Sequence, residues 1–367
     1  MSDLIVTALT DSAILLGLSE KEWDLLIRQG RRANLLARLA YQVTEDGLID
    51  QIPQRPRSHL VSALRMVERQ NQAMRWEVQC LLSGLDNVGV PIVLLKGAAY
   101  VMADLPTANG RAFSDIDILV PKHSLSAVES QLMLNGWQGT HYDDYDQRYY
   151  RQWMHEIPPM RHVTRGTNID VHHTILPESA RFKVNTPALF EGITPLPGYA
   201  GLCVLSPVDM VLHSATHLFH EGELENGLRD LFDLDSLFRS FGKKPGFWNN
   251  LVPRAGELGV IRPLYYAIRF CTMMLHTPIP EEVVSATASG KPHVLASIAT
   301  DYCYMRALRP THESCNVSGT SLARFVLYVR AHWIRMPFHL LICHLTRKAL
   351  RRSKTGSWDA PFARDAK

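Results

Sequence analysis

The sequence predicts an α+β fold, a mixed sheet core set between helical N-terminal and C-terminal regions. Three observations predict it. Apolar residues recur at helical spacing up to about residue 90. The pattern then changes to short apolar or alternating runs at 92–95, 114–120 and 168–172, which is strand periodicity. From about residue 205 helical spacing returns. These breaks divide the chain into a helical region 1–90, an α/β core 91–205, a helical region 206–350 and a polar tail 351–367.

In the first region Ser19-x-x-Glu22 is a capping-box pattern, and Trp23, Leu26, Ile27, Leu35, Leu36 and Leu39 follow at roughly helical spacing. Pro53 and Pro56 interrupt the run, and Ser58 is expected to cap a second long helix reaching about Asn87. In the core, the apolar run 92–95 stops at Lys96-Gly97, and helix-compatible residues follow. A turn-rich piece with Pro106, Asn109 and Gly110 leads to Arg111 and then to Ser114-Asp115-Ile116-Asp117-Ile118-Leu119-Val120. Residues 125–134 suit a helix ending at Asn135-Gly136. A polar aromatic patch covers 142–153, and Asn168-Ile169-Asp170-Val171-His172 is a further short strand. Ser206-Pro207-x-Asp209 opens a helix carrying His213, His217 and His220. A second helix holds Leu228 to Leu234, and others are expected at about 263–275, 292–305 and 322–350.

Composition sets bounds on function. The chain has 367 residues, 46% hydrophobic and 20% charged, with a net charge of +3, too small to argue for nucleic acid by itself. Six cysteines without CxxC spacing are expected to be reduced, mostly buried thiols, which with an acidic first segment lacking a basic n-region points to a cytoplasmic protein. No apolar run is long enough to span a membrane.

The chemistry concentrates at 91–120. Asp115 and Asp117 are two apart on a strand and so project from one face. Two carboxylates that close repel each other unless a cation sits between them, and hard oxygen ligands suit Mg²⁺. A strand that ends at Gly97 and opens a helix lets backbone amides approach a phosphate. On the 168–172 strand, His172 shares the face of Asp170.

Taken together, Lys96-Gly97, Asp115-x-Asp117 and a lone Asp170 on a later strand resemble the core of the DNA polymerase beta-like nucleotidyltransferase superfamily. More narrowly, LLKG, R-x-x-S-D-I-D-I-L-V, I-D-V-H and a helical region with His and R-D-L resemble a group of bacterial proteins called uncharacterised nucleotidyltransferases, over roughly residues 75–240. The resemblance implies a nucleotidyltransferase-like sheet, with Asp115, Asp117 and Asp170 as catalytic metal ligands for Mg²⁺ or Mn²⁺. Asp170 completes the metal on the acceptor side. It implies transfer of an NMP group from a nucleoside triphosphate to a hydroxyl of a small molecule, a protein or an RNA. Lys96, Gly97, Ala98, Arg111 and Ser114 are the nucleotide-binding candidates. The superfamily often shows Gly-Gly or Gly-Ser at the turn, where this chain has Gly97-Ala98, so backbone amides, Lys96 or Arg111 must hold the phosphates.

Plainer readings stand beside these. Asp115 and Asp117 also suit a solvated strand face, Lys96 a strand-terminal lysine, and Arg111 a salt bridge to one of these aspartates. His172, His217, Arg229 and Asp230 are candidates around the site, and Arg229 with Asp230 also suits an ordinary ion pair. His213, His217 and His220 have zinc-compatible spacing but lack the HExxH glutamate and any cysteine, which favours helix packing or a cleft lining. The 322–352 segment, apolar with Arg324, Arg330, Arg335, Arg347, Arg351 and Arg352, suits a core helix pair, or else a membrane surface or an acidic partner. The alternative to an enzyme is a non-catalytic nucleotide-binding or scaffold protein retaining the fold.

Overall fold

A computed structural model describes residues 3–140, 147, 150, 151, 154–220 and 224–335. The first helices are α1 (Leu4–Thr10), α2 (Glu20–Arg32), α3 (Leu36–Glu45) and α4 (Gln54–Leu85). The capping box closes as expected: the Glu22 backbone N–H donates to Ser19 Oγ, and the Ser19 N–H donates to the Glu22 carboxylate at 2.8 Å. Helix α4 starts earlier than expected. Pro56 falls within its first turn, where a missing N–H costs nothing, and Ser58 lies inside the helix, donating its hydroxyl to the Gln54 carbonyl.

Among the described residues seven strands follow: β1 (Ile92–Leu94), β2 (Asp115–Leu119), β3 (Trp137–Gly139), β4 (Met160–His162), β5 (Asn168–His172), β6 (Thr194–Pro195) and β7 (Leu202–Val204). They form one mixed sheet in the order β3-β4-β5-β2-β1-β7-β6. Strand β2 pairs antiparallel with β1 and parallel with β5, and β1 pairs parallel with β7. The three strands expected from periodicity are therefore adjacent, at the centre of the sheet. Helices α5 (Lys96–Met102), α6 (Leu125–Leu134) and α7 (Thr186–Glu191) connect them.

The C-terminal helices are α8 (Pro207–His220), α9 (Gly227–Phe241), α10 (Phe247–Glu257), α11 (Ile261–Leu275), α12 (Glu281–Ala286), α13 (Val294–Ala307) and α14 (Thr320–Arg335). Ser206 begins α8 as the sequence pattern suggests, its Oγ accepting from the Asp209 N–H at 3.1 Å. Beyond Arg335 the expected 322–350 helix lies outside the described residues, as does most of the 142–153 patch. Within α14, Arg330 turns inward and donates to the Phe219 carbonyl and to Tyr304 Oη, both at 3.0 Å.

One continuous apolar cluster runs from Ile5 through the sheet to Leu327, so both helical regions and the sheet share a core. Cys203, Cys271, Cys303 and Cys315 are buried free thiols and Cys80 is half-buried. No helix among the described residues is long and apolar enough to cross a membrane.

Candidate active site

The carboxylate face of the sheet follows from strand register. Asp117 is the direct partner of Asp170 across the parallel β2–β5 pair, and Asp115 is the partner of Asn168. Neighbouring strands run about 4.8 Å apart and alternate residues share a face. Asp115, Asp117, Asp170 and His172 therefore project together.

Among the described residues, Lys96 is the lysine paired with this face. Lys96 opens α5 with a φ of +43°, a left-handed conformation that costs a non-glycine residue about 1–2 kcal/mol. That backbone aims its Nζ at Asp117 Oδ1, 3.1 Å away. The same oxygen accepts from His172 Nε2 at 3.0 Å. Burial opposes ionisation of Asp117, but Lys96 and the His172 hydrogen bond outweigh it and hold the carboxyl well below the usual carboxylate range. Burial likewise disfavours the His172 cation, yet the bond to Asp117 and the nearby Glu156 raise it above an ordinary histidine.

Asp170 behaves oppositely. Burial first, then Glu156 and Asp117, push its carboxyl up to about 7. Among the described residues, four carboxylates thus meet at this face against Lys96, His172 and His217. A divalent ion would relieve exactly that crowding, so the donor set of Asp115, Asp117 and Asp170 fits a hard dication bound through oxygen. Glu156 is the member that sequence reasoning missed. It reaches the site through an isolated bridge to His172, assisted by a hydrogen bond from the Ile157 N–H to the Val171 carbonyl at 3.0 Å. A single bridging residue carries no periodicity, so the sequence holds no signal for it.

The remaining candidates divide into those that come near this face and those that do not. Ser114 donates its hydroxyl to Asp115 Oδ1 at 3.0 Å. Gly97 and Ala98 are buried in the first turn of α5. A Cβ at Gly97 would collide with the Phe113 ring and lie 2.7 Å from Arg111 Nη1, so glycine is required there by packing. Arg111 is buried and held from behind. Its Nε donates to Asp233 Oδ2 at 2.5 Å, and its guanidinium lies 4.9 Å from the Phe113 ring centroid. Burial works against that cation, but Asp233 and Asp230 more than compensate and raise it. Asp233 also accepts from Arg38 at 2.6 Å, so a buried Arg38–Asp233–Arg111 chain ties α3 to α9 behind the site. Nothing in the sequence pattern marks Asp233 for that role.

Helix α8 brings His213 within electrostatic reach of Lys96, His172 and Asp117, and His217 within reach of Asp117. His213 is buried, and burial followed by Lys96 keeps it well below an ordinary histidine. His217 Nδ1 lies 4.0 Å from Asp230 Oδ2, and Asp230 accepts both Nε and Nη2 of its neighbour Arg229. This Arg229–Asp230 pair lies within α9, between adjacent residues. His220 points elsewhere, packing edge-on against Phe182 and bonding to the Thr216 carbonyl. The three histidines therefore do not converge.

A family model described as an uncharacterised nucleotidyltransferase matches residues 19–276. No curated protein matches the chain. No solved structure matches it.

Proposed function

Since the chain belongs to the uncharacterised nucleotidyltransferase family, we propose that it is a metal-dependent enzyme moving an NMP group from a nucleoside triphosphate to a hydroxyl acceptor. The acceptor oxygen bonds to the α-phosphorus, the bond to the β-phosphate oxygen breaks, the hydroxyl proton leaves, and pyrophosphate departs. The observation that carries this reading is the pairing of Asp117 with Asp170 in register, with Asp115 on the same face.

Asp115, Asp117 and Asp170 would hold Mg²⁺ or Mn²⁺. Bound there, the ions supply charge neutralisation for the triphosphate and for the oxygens that gain charge as the phosphoryl group transfers. The chain does the rest. Lys96, at the strand end, offers a positive charge toward the triphosphate while orienting Asp117. His172 holds the Asp117 carboxylate from the other side. Asp170 faces the acceptor side and would help hold the ion that lowers the acceptor hydroxyl's pKa, so that the proton leaves to water. Gly97 and Ala98 present backbone at the start of α5, and Ser114 fixes Asp115. The role of Arg111 is positional: its ties to Asp233 and Phe113 keep the segment leading into β2 in place.

The test is calorimetric titration of ATP, CTP, GTP and UTP with and without Mg²⁺ or Mn²⁺, followed by transfer from α-labelled triphosphates into cell lysate. Divalent-dependent binding with label transfer lost in Asp117→Asn supports the enzyme. Binding that ignores the metal and survives Asp117→Asn favours the scaffold reading instead.

A further inference from the structure

We propose that His155, Glu156 and His172 form a binding site for one borderline transition-metal dication, of the Co²⁺ or Zn²⁺ class, distinct from the Asp115–Asp117–Asp170 oxygens. One ligand atom from each of the three residues lies within 4.8 Å of the others. Bonds of about 2.1 Å would bring such donors to about 3–4 Å apart, a closure within reach of small side-chain rotations. Two imidazoles and one carboxylate are the donor set that borderline dications take, whereas Mg²⁺ prefers oxygen throughout.

Three independent features support the site. First, the His172 ring is already committed at one end. Nε2 bonds to Asp117 Oδ1 at 3.0 Å, which leaves Nδ1 toward Glu156 Oε2 at 3.4 Å. A histidine whose far nitrogen is anchored on a carboxylate is the usual arrangement of a metal-ligating imidazole, because the anchor fixes the tautomer and strengthens the donor. Second, His155 has an unmet polar atom. Its Nδ1 is buried without a hydrogen-bond partner among the described residues, a cost that a bound metal would remove. The ring stacks on His172 with centroids 5.1 Å apart, so the orphan nitrogen belongs to a ring already at the cluster. Third, the backbone is in place. The His173 N–H donates to the His155 carbonyl at 2.9 Å, and Glu156 bridges to His172. The three ligands are thus pinned to the end of β5.

An ion at this position would share a ligand bridge with the carboxylate face, because His172 would bind the metal through one nitrogen and Asp117 through the other. That coupling gives the cluster a positioning role toward Asp117. Metal binding here does not depend on whether the chain transfers nucleotides.

The experiment uses the full chain, stripped with a chelator and titrated with Co²⁺. Visible ligand-field absorption reports the metal's environment and calorimetry reports affinity. With Mg²⁺ present throughout in large excess to occupy the carboxylate face, the expected result is one Co²⁺ with nitrogen-type bands. His155→Gln and Glu156→Gln should each weaken it at least about 10-fold. Asp115→Asn removes a carboxylate of the neighbouring face and should leave the Co²⁺ spectrum unchanged. Circular dichroism of each variant confirms folding, and two separate ligand variants are used so that one unstable protein does not decide the result. Absence of Co²⁺ binding overturns the proposal. So does Co²⁺ binding that both ligand variants leave intact, or binding lost in Asp115→Asn with its bands unchanged in His155→Gln. Loss of triphosphate binding alone bears on the transferase reading and leaves this one standing.

Discussion

Asp117 and Asp170 are direct partners across two parallel strands, yet their carboxyls are driven in opposite directions. Lys96 and His172 stabilise the anion of Asp117 against its burial, while burial, Glu156 and Asp117 itself lift Asp170 to about 7. One carboxylate is held charged and the other is crowded, which is the division expected of a metal anchor beside an acceptor-side group.

That division predicts different losses. Asp117→Asn keeps the shape and removes the anchor's charge, so it should abolish both divalent-dependent triphosphate binding and transfer. The rate loss should be several kcal/mol in barrier, on the order of 10³-fold. Asp170→Asn should spare much of the triphosphate affinity and still lose most of the rate. Calorimetry and label transfer on the same preparations separate the two. Equal loss of binding in both variants would argue against an acceptor-side role for Asp170.

Gly97 gives a prediction about packing. Even a methyl group there meets the Phe113 ring and the Arg111 guanidinium, and Arg111 is held in place by Asp233. Gly97→Ala should cost about 1–3 kcal/mol by overpacking, seen as a lower denaturation midpoint without added nucleotide. A variant as stable as the parent would mean that Phe113 swings aside.

How much of this was legible beforehand follows from the length of each signal. The strands carrying Asp115, Asp117 and Asp170 have five residues each, long enough for alternation to be read. Strands β3, β4, β6 and β7 have two or three residues, too few for a period; β1 is as short and is legible only as an apolar run that stops at Lys96-Gly97. The capping box at Ser19 was legible because its chemistry is local. Glu156 and Asp233 were not, because each reaches its partner from a distant element, and spacing along the chain does not encode that meeting. For Arg111 the plainer expectation is a salt bridge to one of the β2 aspartates, but its partners, Asp233 and Asp230, come from α9.

The Arg38–Asp233–Arg111 chain predicts where stability resides. All three side chains are largely buried, at 11%, 4% and 7% exposure. Asp233→Asn would leave two guanidinium groups facing a neutral amide, and removing one partner of a buried pair costs about 3–5 kcal/mol. The surface pair Arg28–Asp24, 63% and 60% exposed, is the control, since Asp24→Asn should change stability by less than about 1 kcal/mol. Urea denaturation of both variants measures the contrast. Similar midpoints for the two would mean that the buried chain contributes no more than a surface pair.

His220 predicts the acid response of the helical region. It is buried at the end of α8, and burial first, then Arg330, lower it to about 3, so it stays neutral in the folded protein. The unfolded chain carries an ordinary histidine near 6.5. Above pH 6.5 both states are neutral and the group contributes no pH dependence. As pH falls below 6.5 the unfolded state takes the proton and the folded state does not, so stability declines from 6.5 down to about 3. At pH 5 the accumulated loss from this one residue is about 2 kcal/mol. His220→Gln removes the titration. Its destabilisation relative to the parent should therefore be largest at pH 7.5 and shrink by about 2 kcal/mol at pH 5, measured by urea denaturation at each pH. A difference that stays constant across that range would mean His220 is protonated, or solvated, in the folded protein.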